Sequence, residues 1–160
     1  MQFSGKSVII TGAGKGIGRA CARVMAARGA EVIALSRTAA DLDSLRAEIG
    51  GRSITVDLAD PAATRAAMAK AGTCDYLINS AGINVLESVL DMTEAGYEAV
   101  LGINLRAALI TCQEFARARV AAGGGGAIVN ITSIAGHRGF QDHLCYAASK
   151  AGLDGATRVL

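Results

Sequence analysis

The chain has 160 residues, of which 51% are hydrophobic and 19% are charged, and its formal net charge at pH 7 is +2. This length predicts a single domain over residues 1–160. The near balance of charge gives no reason to expect a nucleic acid or an anionic membrane as a partner. No apolar run reaches the roughly 18 residues that a membrane-spanning helix needs.

The cysteines and the start of the chain bear on the compartment. Four cysteines lie far apart, without C-x-x-C spacing, so neither a zinc site nor a disulfide framework is expected. The first residues, MQFSGKSVII, enter a strand-like run without the basic region of a signal peptide. These observations predict reduced thiols in a cytoplasmic protein and no bound metal.

Five short apolar runs alternate with longer, alanine-rich segments. The runs are typical of strands that are buried on both faces, and the longer segments are typical of helices. The predicted strands are 7–11, 31–36, 53–57, 75–80 and 127–133. The predicted helices are roughly 16–28, 39–49, 61–71, 94–121 and 144–160. This alternation predicts an α/β fold, a doubly wound parallel sheet with helices on both faces.

Two helix starts carry capping signals. Thr38 and Asp41 are spaced as a capping box at the start of the second predicted helix. Asp60 and Pro61 are suited to the N-cap and the first helical position of the third.

A glycine-rich loop, TGAGKGIG over 11–18, joins the first predicted strand to the first predicted helix. Free N–H groups and the positive end of the helix dipole favour a phosphate group at such a turn. Gly12 is expected to make the tight turn, Gly16 to let the backbone approach a pyrophosphate, and Gly18 to let the helix pack closely on the strand. In a βαβ pattern, the loop predicts dinucleotide binding over a plain turn. The other candidate contacts in the loop are Gly14, Lys15 and Ile17.

The end of the second predicted strand, Ser36-Arg37, indicates which dinucleotide is bound. An acidic residue here would bind the ribose 2′-hydroxyl of NAD, whereas an arginine can pair with the 2′-phosphate of NADP. Lys15 could add a second positive charge. The sequence therefore favours NADP(H) over NAD(H), and the alternative for Arg37 is a solvated loop arginine.

Together with later motifs, these features resemble the short-chain dehydrogenase/reductase family over residues 5–160. Asp57 resembles the adenine-contacting aspartate of that family, and 79–82 (NSAG) resembles its NNAG motif, with Ser80 in place of the second asparagine. The resemblance implies cofactor contacts at Asp57, Leu58, Asn79, Ala81, Gly82, Tyr146 and Lys150. It implies a catalytic set of Ser133, Tyr146, Lys150 and Asn104, in which Ser133 and Tyr146 are separated by the family's interval.

The residue types in this set suit carbonyl reduction, which needs a hydride donor, a proton donor and stabilisation of charge on the substrate oxygen. Tyr146 is the candidate proton donor, and Lys150 lies one helical turn further along the same face. A free phenol has a pKa near 10, and a unit charge about 5 Å away favours its ionised form by about 3 kcal/mol at an effective dielectric near 20. Ser133 is expected to orient the substrate oxygen. By resemblance, Asn104 would hold a water that connects Lys150 to solvent.

Within the family, the stretches TGAGKGIGR and SRTAADLDSL most resemble the subgroup of L-xylulose reductase and related NADP-dependent carbonyl and polyol enzymes. His143 matches a substrate-side histidine of this subgroup. Ile134 follows Ser133 where the subgroup carries a polar residue, which leaves the substrate open among ketoses, polyols and diketones.

The resemblance also bears on assembly and on the extent of the chain. Apolar residues on more than one face of the helix at 94–121 suggest a subunit contact, and the family commonly associates there, so a homo-oligomer, dimer or tetramer, is expected. Family members continue beyond the helix that carries Tyr146 and Lys150, and the chain is expected to lack that C-terminal part. The alternative functions are a 3-oxoacyl-thioester reductase, a non-catalytic NADP-binding sensor and an inactive truncated fragment.

Overall fold

In a computed structural model, which describes residues 2–160, five parallel strands form one sheet in the order β3-β2-β1-β4-β5. Every neighbouring pair is parallel. The strands are β1 (Ser7–Thr11), β2 (Glu31–Ser36), β3 (Arg52–Thr55), β4 (Tyr76–Asn79) and β5 (Ala127–Asn130). The ends of each strand lie within three residues of the predicted ends.

Within residues 2–160, six α-helices connect and follow the strands. They are α1 (Gly16–Ala27), α2 (Ala39–Ile49), α3 (Pro61–Ala71), α4 (Glu94–Leu101), α5 (Ala108–Ala121) and α6 (Leu144–Thr157). The predicted doubly wound sheet is confirmed, because alternate residues of the strands pack on helices of opposite faces. No helix within residues 2–160 is long and apolar enough to cross a membrane.

The two faces of the sheet have separate apolar cores. On one face Ile9 and Leu77 pack with residues of α3 and α5, including Phe115. On the other face Val8 and Ile10 pack with residues of α1 and α2. Burial on both faces explains why the strands read as continuous apolar runs instead of alternating patterns.

The order in which strands are added to the sheet reverses at β1, which pairs with β2 on one side and with β4 on the other. A crevice opens at the carboxyl ends of the strands at such a switch point, and ligands of this fold class bind there. The Thr11 hydroxyl links the end of β1 to the chain that follows β4, since it accepts hydrogen bonds from Ser80 N at 3.1 Å and Ala81 N at 3.2 Å.

The two predicted caps have different outcomes. Asp60 does cap α3: its Oδ1 accepts hydrogen bonds from Ala62 N at 2.8 Å and Ala63 N at 3.1 Å. The capping box was a wrong prediction, because Thr38 begins α2 without a side-chain cap and the Asp41 carboxylate is paired with Lys15 instead.

The segment predicted as one helix over 94–121 is divided. A π-helical segment, Gly102–Ala107, separates α4 from α5. A π turn widens the helix locally and is often found at functional sites. Here it contains Asn104.

Candidate active site

The glycine loop makes its tight turn against the chain that follows β4. Gly12 has a φ of 66°, and a Cβ on it would lie 2.8 Å from the Ala81 Cα. A Cβ on Gly18 would overlap the Gly12 carbonyl oxygen, so α1 begins in close contact with the loop. Gly16 also has a positive φ, of 55°, and faces open space. The loop therefore has the close approach and the open backbone that a pyrophosphate requires.

A cavity of about 300 Å³ lies beside this loop at the carboxyl ends of the strands. It brings together many of the predicted cofactor residues. Its lining includes Gly12, Lys15, Ser36, Arg37, Asp57, Leu58, Ala81 and Gly82, together with Thr38, Asp41, Val56, Ile83 and Ile103.

Cations and carboxylates share one end of this cavity. Within residues 2–160 the Arg37 guanidinium has no carboxylate partner, whereas Lys15 Nζ lies 3.3 Å from Asp41 Oδ2. Asp57 is exposed and accepts a hydrogen bond from Ala59 N at 3.0 Å. An unpaired guanidinium at the end of β2 is suited to an anionic group of a ligand.

Other predicted cofactor residues lie outside this cavity. Ile17 is exposed on the first turn of α1. Gly14 is wedged against α2, because a Cβ on it would lie 3.0 Å from both Ser36 Oγ and Asp41 Cβ. Asn79 is buried below the crevice. Gly14 and Asn79 therefore support the cavity through packing and do not line it.

The buried Asn79 side chain is the centre of a hydrogen-bond network that extends to the exposed Thr157. Its Oδ1 accepts from Thr111 Oγ1 at 2.7 Å, and its Nδ2 donates to Asn130 Oδ1 at 2.9 Å. Asn130 in turn donates to Thr157 Oγ1 at 2.9 Å. The network joins β4, β5, α5 and α6, so Asn79 helps to hold the two helices against the sheet.

Lys150 and Tyr146 lie side by side on α6. The Lys150 Nζ is 5.7 Å from the centre of the Tyr146 ring and donates to the Ile131 carbonyl at 2.7 Å. Lys150 is 4% exposed, and burial lowers its pKa. A buried ammonium has three donors, and within residues 2–160 only one of them has a partner. The remaining two are available to acceptors on a ligand.

Asn104 projects from the π segment into the same region and is fully buried. Its Oδ1 accepts from Ile83 N at 2.8 Å, and its Nδ2 donates to Ile83 O at 2.9 Å and to Ser149 Oγ at 3.1 Å. A Cβ on Gly82 would lie 3.4 Å from Asn104 Oδ1 and 3.5 Å from Lys150 Nζ. Asn104 thus fixes the edge of the cavity to α6, next to the lysine.

Ser133 follows β5 and caps a single 3₁₀ turn, Ile134–Gly136. Its Oγ accepts a hydrogen bond from Ala135 N at 3.1 Å. The turn packs directly on α6, since a Cβ on Gly136 would lie 3.0 Å from Ala151 N and 3.1 Å from the Lys150 carbonyl carbon. The serine is therefore held beside the helix that carries Tyr146, and its hydroxyl hydrogen has no acceptor among residues 2–160.

His143 lies just before α6, with its ring centre 6.0 Å from that of Tyr146 in an edge-on arrangement. His143 Nδ1 is 2.6 Å from the Gln141 carbonyl oxygen, which can only accept. The neutral ring therefore carries its proton on Nδ1, and Nε2 is an acceptor.

The sequence analysis missed several residues that build this site. Asp41 lines the cavity, the Ile131 carbonyl holds Lys150, and Ser149 binds Asn104. Glu87 accepts from Thr93 Oγ1 at 2.7 Å at the start of α4, while its own N donates to the Asp142 carbonyl at 3.1 Å. Only Asp41 had a signal in the sequence, its capping-box spacing from Thr38, and that signal predicted a different role. The others act through contacts with other segments of the chain.

The strand order and the glycine turn at its switch point define a dinucleotide-binding fold of the Rossmann type. The family profile described as short chain dehydrogenase matches residues 6–160. The chain belongs to this family.

Individual relatives give the same result. The chain is 42% identical over 161 aligned positions to an L-xylulose reductase of Bos taurus, covering 100% of this chain and 66% of the relative. It is 44% identical to a D-erythrulose reductase of Gallus gallus, covering 100% and 65%. The chain thus spans slightly less than two thirds of the length of these relatives.

A solved structure is also similar. It is described as a metagenomic short-chain oxidoreductase in complex with NADP, and it superposes with a TM-score of 0.92 at 36% identity. The alignment covers 99% of this chain and 76% of that one.

Proposed function

We propose that this chain forms the cofactor-binding and catalytic part of an NADP(H)-dependent oxidoreductase that interconverts small carbonyl compounds and alcohols. The observation that carries the proposal is the buried Lys150 ammonium beside Tyr146, with a single internal acceptor and no carboxylate partner within residues 2–160. An ammonium held in this way lacks a counter-charge, and it stabilises a phenolate or the hydroxyls of a bound ribose.

The cavity at the glycine loop suits NADP(H). The close turn at Gly12 and the open backbone at Gly16 leave room for a pyrophosphate. Arg37 lies at the cavity end near the second strand, where the adenosine ribose would lie, and its guanidinium is free to bind a 2′-phosphate. The similar metagenomic structure is described in complex with NADP, which supports the same cofactor here.

The catalytic roles follow from which groups can donate a proton or a hydrogen bond. The nicotinamide cofactor, when bound, supplies or accepts the hydride. The Tyr146 hydroxyl donates a proton to the substrate oxygen during reduction and takes it back during oxidation. The Ser133 oxygen already accepts a hydrogen bond from Ala135 N, and its hydroxyl hydrogen is donated to the substrate oxygen. Lys150 holds a positive charge beside Tyr146, and Asn104 keeps α6 against the cavity edge.

The substrate class we propose is a small polyhydroxy ketone or the corresponding polyol, with diketones as further substrates. The similar relatives are named for L-xylulose and D-erythrulose, which are short ketoses. His143 supports this class, because its free Nε2 can accept a hydroxyl hydrogen near Tyr146.

We also propose that the protein is a cytoplasmic homo-oligomer. A groove of about 420 Å³ runs along the outer face of α4, the π segment and α5, and its lining includes Tyr97, Leu101, Leu105 and Leu109. Apolar side chains along such a groove favour association through this face. Four free cysteines are compatible with a reducing compartment.

A substrate panel tests the proposed function. Purified protein is assayed for oxidation of NADPH with L-xylulose, with diacetyl and with an acetoacetyl thioester, while NADPH binding is measured by fluorescence. Turnover of the ketose and the diketone is expected. Turnover of the thioester alone would indicate a 3-oxoacyl-thioester reductase, and tight binding without any turnover would indicate a sensor.

A further inference from the structure

An ion pair spans the end of the cavity where the 2′-phosphate is proposed to bind. Lys15 Nζ lies 3.3 Å from Asp41 Oδ2, and the Lys15 side chain is 79% exposed whereas that of Asp41 is 22% exposed. Both residues line the cavity together with Ser36 and Arg37. A carboxylate is thus present among the positive charges that would attract an anion.

The backbone of Asp41 is held in place. Arg19 Nη1 donates to the Gly14 carbonyl at 3.3 Å and to the Asp41 carbonyl at 3.3 Å. A Cβ on Gly14 would lie 3.0 Å from both Ser36 Oγ and Asp41 Cβ, so the loop and the first turn of α2 are in direct contact. Because the loop and the helix are joined in this way, the carboxylate stays at the cavity when the exposed Lys15 side chain moves.

We propose that Asp41 is a specificity-determining residue: it competes with the 2′-phosphate of the cofactor for Lys15, and it repels that phosphate. The inference rests on the proposed cofactor and adds a residue that lowers the protein's affinity for it. A dinucleotide without a 2′-phosphate brings no negative charge to this end of the cavity. Asp41 therefore weakens the binding of NADP-type cofactors selectively and leaves that of NAD-type cofactors nearly unchanged.

A purely structural role for Asp41 makes a different prediction. A carboxylate in the first turn of a helix is stabilised by the helix dipole, so its loss would lower thermal stability and affect both cofactors alike. Asp43, on the same helix, provides a matched control because it is exposed and, within residues 2–160, its only charged partner is Arg46.

The experiment compares Asp41→Asn with Asp43→Asn by calorimetric titration with NADP⁺ and NAD⁺ at low salt. We expect Asp41→Asn to lower the Kd for NADP⁺ by roughly three- to ten-fold, since an exposed ion pair is lost and one repulsive charge is removed. The Kd for NAD⁺ should change by less than about two-fold. Asp43→Asn should change neither value.

A second comparison isolates the competition for Lys15. Lys15→Gln should weaken NADP⁺ binding more in the D41N background than in the wild type, because Lys15 is neutralised by Asp41 only in the latter. Asp41→Ser serves in place of Asp41→Asn where the melting temperature shows that the first variant folds poorly.

The outcomes separate this inference from the proposed function. Unchanged or weaker NADP⁺ binding in Asp41→Asn, or an equal change for both dinucleotides, overturns the role of Asp41 alone. A wild-type protein that binds NAD⁺ and not NADP⁺ overturns the cofactor assignment and this inference together.

Discussion

The Asn104 side chain donates a 3.1 Å hydrogen bond to the hydroxyl of Ser149, the residue immediately before Lys150. The same side chain also exchanges two hydrogen bonds with the backbone of Ile83 at the cavity edge. A single amide, carried by a π turn, therefore links the edge of the cavity beside the glycine loop to the helix that carries the candidate catalytic residues.

Replacing Asn104 should be costly for stability. Asn104→Leu keeps a similar volume and removes three hydrogen bonds, which leaves buried or half-buried polar groups without partners, so we expect a loss of about 2 to 4 kcal/mol. Urea denaturation measures this change. Asn84→Leu, at an exposed position in the loop between β4 and α4, is the control, and it should change the free energy of unfolding very little. A loss below about 1 kcal/mol for Asn104→Leu would contradict the linking role.

Tyr146→Phe removes only the hydroxyl group from the ring. We expect turnover to fall by about 10²- to 10⁴-fold, because general acid catalysis is lost, while the Kd for NADPH stays within about three-fold. Steady-state kinetics and fluorescence titration measure the two effects. Tyr76→Phe, at the start of β4, where the ring packs on Phe3 away from the cavity, should keep full turnover. Retained turnover in Tyr146→Phe would remove this residue from the acid role.

Arg37→Ala should weaken NADPH binding by roughly 10- to 100-fold, since hydrogen bonds to a charged group contribute about 1.5 to 3 kcal/mol. NADH binding should change little. The control is Arg46→Ala, because Arg46 is on the exposed side of α2 and pairs with Asp43. An unchanged ratio of the two affinities would exclude a 2′-phosphate contact at Arg37.

Gly12→Ala tests the turn of the glycine loop. A side chain at a φ of 66° is strained, and its Cβ would lie 2.8 Å from the Ala81 backbone, so we expect a loss of about 2 kcal/mol or more and much weaker dinucleotide binding. A Cβ on Gly125 meets nothing within 4 Å, and Gly125→Ala should fold and bind normally. Thermal unfolding and NADPH titration measure both variants. Normal behaviour of Gly12→Ala would show that the loop can move away from Ala81.

Burial of Lys150 predicts a pH dependence of stability. Burial lowers the pKa of Lys150 in the folded state, below the value of about 10.4 for an unfolded chain. Between these two pKa values the unfolded state binds more protons, so stability rises with pH, and below the folded pKa the buried charge remains a constant penalty. The free energy of unfolding of the wild type should therefore rise relative to that of Lys150→Met as pH increases toward 10.4.

Urea denaturation at several alkaline pH values measures this difference. Lys70→Met, on the exposed side of α3, corrects for the loss of one positive charge. A difference between wild type and Lys150→Met that stays flat with pH would mean that burial does not perturb the lysine.

The sequence was sufficient for the order of elements and for most of the candidate site. Continuous apolar runs and turn residues are local signals, and they predicted all five strands. The glycine spacing and Arg37 predicted a cofactor site at the carboxyl ends of the strands, and the structure places a cavity lined by Gly12 and Arg37 there. Ser133, Tyr146 and Lys150 were predicted by the family resemblance and not by local chemistry.

What the tertiary structure decided are the contacts between segments that are distant in the chain. No local pattern indicates that Asn104 lies in a π turn or that its partners are Ile83 and Ser149, since these partners come from segments that are distant in the chain. The Asp41 carboxylate had a local prediction, a capping box, which tertiary packing overrode by bringing Lys15 within 3.3 Å of it. Local sequence determines where a strand or helix forms, whereas hydrogen-bond partners and charge pairs depend on which elements the fold brings together.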